Sequence, residues 1–374
     1  MLQTLLSEHS AIYRDFGRSA AKNLWVLVGC LLKGRTTNLN RLKDYVSDLL
    51  DKPMTDPESH YKRLLRFFQG FAQPEFVASV LETAYGYLQG QSRFLLLDGS
   101  SWQIGQRKVH FLTLSSLLHG VAVPVAWQEL GHWGSSDQAQ RQAFLEAVSQ
   151  RLALKGQILL ADREYVGRQW LHYLHQQGID FVIRLRMADY APELPAATGW
   201  SWPVVVAHAL SHRQPWAIEI RLGDTPLKQC PMWVVLMRNP QPQADQPLLM
   251  WITSLPEAAR AAEAYRQRWQ TECLFKHLKT NGFNLQQVNL KDQNRLNLMM
   301  AAVVLAYVVS LAEGLRQPAK ALKRYAQGAV YRAVSLFRQG LSRLTRHFGS
   351  LVQLLTHLLS LKSPTPWHLL KNVQ

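Results

Sequence analysis

Only three cysteines occur in 374 residues, Cys30, Cys230 and Cys273. They are odd in number, far apart and not at metal-ligand spacing, so they indicate neither a disulfide framework nor a zinc site, and a reducing cytoplasm suits them. The chain also lacks a positively charged start followed by an apolar run, and Glu8 comes early, so no secretory signal is expected. Long hydrophobic runs are missing as well. The longest, Leu298–Ala312 (LMMAAVVLAYVVSLA), is shorter than the roughly 20 residues a membrane span needs and reads as a buried core helix.

Acidic residues are scarce. Asp and Glu number 26 against 42 Lys and Arg, a net charge of +16 and a pI near 9.9. Such an excess implies a polyanionic partner, either nucleic acid or an acidic membrane surface. From Gly314 to Gln374 acids are absent altogether while ten Lys or Arg remain. There Lys320, Lys323, Arg324, Arg332, Arg338, Arg343 and Arg346 alternate with Tyr325, Tyr331, Phe337 and leucines, a pattern of amphipathic helices with a basic face. A face of this kind suits DNA and also a membrane surface.

A chain of this length exceeds the roughly 250 to 300 residues at which single cores stop growing, so two or three domains are expected. Residues 1–90 carry helical periodicity and no alternating β-branched run, which predicts a small helical domain. Thr37–Leu50 and Ser59–Phe68 read as two helices joined by a Pro-rich turn, the second capped by Ser59. With Lys62, Arg63 and Arg66 it fits a DNA-reading helix, and equally an ordinary amphipathic helix with a basic outer face.

The pattern changes near residue 93. Phe94–Leu97, Val109–Leu118 and Val121–Trp127 are short apolar runs separated by Gly99, Gly105 and Gly120, and they predict three consecutive antiparallel strands. A helix over 137–153 capped by Ser135 and Ser136, a strand at Gln157–Ala161, a helix at Arg168–Gln177 and a strand at Phe181–Leu185 follow. That is the element order of the ribonuclease H-like fold. Nine prolines then punctuate residues 189–250, Pro192 and Pro226 among them, between runs such as PVVVAHAL, WAIEIRL and MWVVLM. They predict a mostly β insertion. After a strand at Leu248–Thr253, one long helix from Pro256 to Asn281 is expected, and everything beyond it reads as helical. The expected class is mixed α/β, with a ribonuclease H-like core over 91–188 and 251–313, an insertion over 189–250, and helical regions over 1–90 and 314–374.

Asp98 ends the first apolar strand (FLLLDGSSW) and Asp162 ends the fourth (QILLADREYVG). Acidic side chains at such strand ends lie at the sheet edge, where ligands and metals bind. The third element is the segment YRQRWQTECLFKHLK over Tyr265–Lys279. At about 100° per residue, Arg268, Glu272 and Lys279 fall within about 60° of Tyr265 on one helix face. Arg163 and Glu164 read either as supporting partners of the site or as a solvated pair, and His172 and His175 read as surface histidines.

These residues carry a resemblance. The segment matches the Tyr-x2-Arg-x3-Glu-x6-Lys signature of insertion-sequence DDE transposases of the family numbered four, with every spacing kept. LLLDGS and LLADREYVG resemble that family's two aspartate motifs, and the likeness spans roughly Phe94–Asn289. It implies that Asp98, Asp162 and Glu272 bind metal and that Tyr265, Arg268 and Lys279 handle DNA phosphates. Carboxylate oxygens as the only ligands suit Mg2+ or Mn2+, and two ions are expected.

The family further implies cut-and-paste transposition on double-stranded DNA, at element ends and target, by a homodimer with no membrane partner. The helical residues 1–90 would then bind DNA, and the basic residues 314–374 would contact DNA or dimerise. A bacterial, nucleoid-associated location follows. A tryptophan of the insertion is expected to stack on a flipped base, with Trp200, Trp202, Trp216, Trp233 and Trp251 as candidates. A ribonuclease H-like nuclease without strand transfer, and a catalytically silent DNA-binding relative, share the carboxylates.

Overall fold

A computed structural model describes residues 1–9, 11–90, 92–104, 107–187, 189, 193–220, 230–243, 246–318, 322–324 and 330–362. The expectations resting on Gly105, Pro192, Pro226, Lys320 and Tyr325 lie outside the described residues. The helices α1 (Leu2–His9), α2 (Ala11–Gly34), α3 (Leu39–Leu42), α4 (Val46–Leu50), α5 (Pro57–Phe71) and α6 (Pro74–Tyr85) come first. They lead into β1 (Phe94–Ile104), β2 (Arg107–Leu118), β3 (Val121–Glu129), α7 (Gln138–Ser149), β4 (Ile158–Ala161), α8 (Arg168–Gln176) and β5 (Asp180–Arg184). Next follow α9 (Glu193–Thr198), α10 (Trp202–Ser211), β6 (Trp216–Ile220), β7 (Met232–Gln243) and β8 (Gln246–Thr253). The chain continues through α11 (Ala258–Arg266), α12 (Trp269–Leu278), α13 (Gln293–Leu315), β9 (Leu322–Arg324), β10 (Val330–Arg332), α14 (Leu336–His347) and α15 (Leu351–Leu361). Met1–Gly90, Trp102–Arg107 and Phe275–His368 form one of two compact units, Gln91–Ser101 and Lys108–Leu274 the other.

The first unit is built around α13. This helix is 23 residues long, enough to cross a membrane, but 94% of its most apolar stretch is buried in protein. It packs on α2, α6 and α14. Against α14 the backbones nearly touch: a Cβ on Gly340 would stand 1.8 Å from the Ser310 carbonyl oxygen, so only glycine fits there. The buried Glu313 is satisfied by Arg343 Nε at 2.8 Å and His357 Nε2 at 3.0 Å. One cation of the basic C-terminal stretch therefore serves the core rather than an outside partner.

The stretch 37–50 is two short helices separated by a 3-10 turn at Lys43–Tyr45. The cap of α5 is Asp56, whose carboxylate accepts from Glu58 N, with Pro57 opening the helix ahead of Ser59. The C-terminal stretch is not wholly helical, because β9 and β10 pair antiparallel.

In the second unit an eight-stranded sheet runs in the order β3-β2-β1-β4-β5-β8-β7-β6. β2 and β3 are antiparallel, β1, β4 and β5 are mutually parallel, and β5, β8, β7 and β6 alternate antiparallel. The order β3-β2-β1-β4-β5 is the ribonuclease H-like arrangement. β6 and β7, from the insertion, pair beyond β8 and extend this same sheet, which covers the edge β8 would otherwise leave open. The insertion also holds helices where β structure was expected: PVVVAHAL forms α10. Pro203 sits in the first turn, where its missing N–H costs nothing, and Val205 and Ala209, four apart, are both buried. The helix after β3 is capped by Asp137 in a capping box with Gln140, not by Ser135 or Ser136.

Candidate active site

Strand register brings the first two acids together. Leu97 of β1 faces Ala161 of β4, and Ala161 faces Ile183 of β5. The next residue along the chain in each case is Asp98, Asp162 and Arg184, so these three stand at one level across the sheet. Asp162 turns out of β4 at once, accepting from Arg163 N at 2.8 Å as the cap of a 3-10 turn. Asp98, expected to end its strand, instead lies inside β1, which runs on to Ile104. Its Oδ1 accepts from Gly99 N at 2.9 Å. The glycine did not stop the strand because close packing requires it: a Cβ there would meet His110 Nε2 at 2.7 Å.

The third acid arrives on a helix that differs from expectation. The single helix predicted over residues 256–281 is broken into α11 and α12. Around the break, Gln267, Arg268, Gln270 and Thr271 all donate to the carbonyl three residues back, which overwinds the backbone locally. A uniform wheel therefore does not hold across it. Tyr265 lies at the end of α11, Arg268 in the turn, and Glu272 in the first turn of α12.

Arg268 binds the group together. Its Nη2 lies 3.0 Å from Glu272 Oε1 and 3.8 Å from Asp162 Oδ2, and its Nη1 lies 3.4 Å from Asp98 Oδ2. One guanidinium thus faces three carboxylates. Burial and electrostatics set the protonation of this group. The Asp98 side chain is 17% exposed. Burial pushes its carboxyl up to about 7; Arg268 and the Gly99 N–H oppose that rise, and the charges of Glu164 and Asp162 add to it. Burial works against the charge of Arg268, but Tyr265, Asp162, Asp98 and Glu272 outweigh it and hold its proton more tightly than usual. Burial raises the Tyr265 phenol well above its ordinary range.

An aromatic and basic wall completes the site. The Tyr265 ring lies 5.6 Å from that of Trp251, and the Arg268 guanidinium 5.9 Å from the Tyr265 ring. The Arg184 guanidinium lies 5.7 Å from the Trp251 ring, with its proton affinity lowered by burial. Sequence reasoning missed Arg184. Its only signal was a place at the end of an apolar strand, and that acquires meaning once β5 is in register with β4. Of the Arg163 and Glu164 pair, Glu164 is half-buried and acts electrostatically on Asp98, whereas Arg163 is exposed.

The other sequence candidates are placed as follows. Lys279 belongs to the first unit, where its ammonium lies 5.5 Å from the Trp102 ring and 5.8 Å from that of Phe275. Of the five tryptophans, Trp251 is buried against Tyr265, while Trp200 is 40% exposed and 5.9 Å from Trp216. His172 Nε2 bonds the Gln176 amide at 2.7 Å and His175 is exposed.

The carboxylate trio can be tested for fit to a metal by its donors. Three carboxylates with no nitrogen or sulfur ligand suit a hard divalent cation. Among the described residues, however, no three such side chains are gathered around a point free to take an ion. Arg268 stands among the three oxygens, so a metal ion held by them would have to take the place of its guanidinium.

Residues 89–309, more than half of the chain, match the family model described as "Transposase DDE domain". Among solved structures, a piggyBac transposase synaptic complex with hairpin DNA is similar to it at 10% sequence identity, over 92% of this chain and 71% of that one, with a TM-score of 0.45. No curated protein matches the sequence.

Proposed function

The chain belongs to the transposase DDE domain family, and from that membership we propose that it excises an insertion sequence and joins it to target DNA through Asp98, Asp162 and Glu272. The convergence of those three carboxylates on the single Arg268 guanidinium carries the proposal. The Tyr-x2-Arg-x3-Glu-x6-Lys spacing supports a place in the insertion-sequence family numbered four.

Asp98, Asp162 and Glu272 would hold two Mg2+ or Mn2+ ions. When bound there, such ions would supply activation of an attacking hydroxyl and stabilisation of the leaving oxygen of an in-line displacement. Arg268, released from the carboxylates, grips a non-bridging phosphate pair, and its planar fork suits that task better than an ammonium would. The Arg268 side chain is 15% exposed beside the Tyr265 ring, and that burial strengthens its attraction for the phosphate. Arg184 and Lys279 add point charges for neighbouring phosphates.

At the element end, the oxygen of water bonds to phosphorus while the bond from phosphorus to the 3′ oxygen breaks, and that oxygen takes up a proton. The resulting 3′ hydroxyl then attacks a target phosphorus with the same balance of bonds. Residues 1–90 and the basic residues 314–374 provide DNA contacts outside the catalytic core, and a homodimer bridges two terminal inverted repeats on the bacterial nucleoid.

The test is cleavage of a duplex spanning an inverted repeat and its flank, in Mg2+. Wild type should nick at the junction and yield strand-transfer products, while Asp162→Ala should retain DNA binding and lose both. Equal cleavage by the two proteins would remove the proposal, and nicking without joined products would leave a nuclease.

A further inference from the structure

A second concentration of charge lies in the N-terminal helices, within Met1–Gly90. A cavity of about 420 Å³ opens between α2 and α5. Its lining includes the cationic Lys52, Arg63 and Arg66, the hydroxyl-bearing Ser59 and the aromatic Phe67 and Phe71. No acidic residue lines it. Arg63 is oriented by its Nε, which donates to Asn23 Oδ1 at 2.8 Å. Among the described residues, neither Arg63, Arg66 nor Lys52 makes an ion pair.

His60, also in the lining, is 4% exposed, and its Nε2 has no hydrogen-bond partner. A buried polar atom left this way costs free energy unless a ligand completes it. Burial, and then the charges of Arg63, Arg18 and Lys52, lower the proton affinity of Lys22. Among the described residues, Arg63, Arg66 and Lys52 are gathered here without ion pairs, Asp56 being the acid that acts on His60, and an anion relieves the repulsion among like charges.

We infer that this cavity is a phosphate-binding pocket for the backbone of duplex DNA, with Arg63, Arg66 and Lys52 on the phosphodiester and Phe67 and Phe71 beneath the adjoining deoxyribose. The inference rests on the DNA-transposase reading above and adds a DNA contact within the first unit. It also changes the part played by α5. Arg63 and Arg66 face a hollow, so this helix positions the DNA backbone rather than reading base edges.

The test uses the full chain and a fluorescein-labelled duplex of inverted-repeat sequence, with affinity read by anisotropy across a salt series. Arg63→Gln/Arg66→Gln should bind at least tenfold more weakly, and the slope of log affinity against log salt should fall by about one, as for loss of one phosphate contact. Arg63→Lys/Arg66→Lys should keep most of the slope. Ser59→Glu, at an exposed residue of the lining, should reproduce the loss even if the double variant folds poorly. Wild-type affinity and slope in Ser59→Glu and in folded Arg63→Gln/Arg66→Gln would overturn the pocket alone. Absence of DNA binding in wild type would overturn the transposase reading and the pocket with it. Tripolyphosphate binding more tightly than the duplex, and lost in the double variant, would assign the pocket to a small anion and overturn the DNA assignment.

Discussion

At the scale of single residues, Arg268 decides what the three carboxylates can do. Carboxylates brought this close repel one another, and the guanidinium is the group that offsets the repulsion within the second unit. Arg268→Ala should lower metal-free stability by on the order of 1 to 3 kcal/mol, discounted because Asp162 and Glu272 are more than a third exposed. Divalent cations should then raise the thermal midpoint of the variant more than that of wild type. Equal cation effects on both would mean that the arginine and the ions do not share the carboxylates.

Asp98 supplies a second residue-level prediction. Its folded pKa of about 7 stands above the roughly 3.9 of an unfolded aspartate, so the native state binds the extra proton between those values. Stability must therefore fall as pH rises from about 4 through about 7, then level off. A tenfold difference in proton affinity corresponds to about 1.4 kcal/mol, so Asp98→Asn should gain stability over wild type, up to about 4 kcal/mol in EDTA at pH 8. The two proteins should converge near pH 4. Urea titrations at several pH values check this, and a pH-independent difference would contradict it.

At the scale of elements, the α13–α14 contact is the most constrained junction in the first unit. Gly340→Ala places a methyl group against the Ser310 carbonyl, and backbone cannot yield as a side chain can. A loss of at least 1 to 3 kcal/mol, roughly, is expected from overpacking, measured by urea unfolding.

The elements also differ in how legible they were. FLLLDGS and QILLADREYVG revealed β1 and β4 because buried parallel strands read as unbroken apolar runs with a polar stop. PVVVAHAL was misread because three consecutive valines favour strands locally, and only the leading proline and the buried Val205 and Ala209 side favour α10. The break between α11 and α12 left no glycine or proline in RQRW, so periodicity ran straight across it. Arg268 nonetheless stays 3.0 Å from Glu272 and 5.9 Å from the Tyr265 ring, since one overwound turn changes their angles without separating them. Arg184 needed strand pairing, which is a tertiary fact.

At the scale of the whole molecule, the net charge of +16 is divided among several uses. Arg343 neutralises buried Glu313, Arg268 faces the carboxylates, and Arg63 and Arg66 line a separate cavity in the N-terminal helices. A single basic surface is therefore a poor description of the chain. DNA affinity should be strongly salt-dependent, with the N-terminal pocket contributing to binding and the carboxylate site to cleavage. Variants at the two sites should separate these properties.

The account depends on Asp98, Asp162 and Glu272 acting as one set of ligands. Calorimetric titration of the full chain with Mn2+ tests this directly, with Asp98→Asn, Asp162→Asn and Glu272→Gln beside wild type. Saturable heat in wild type that each single substitution weakens at least tenfold is the predicted result. Wild-type binding in Glu272→Gln, or no uptake by wild type in the presence of its DNA end, would contradict the shared site.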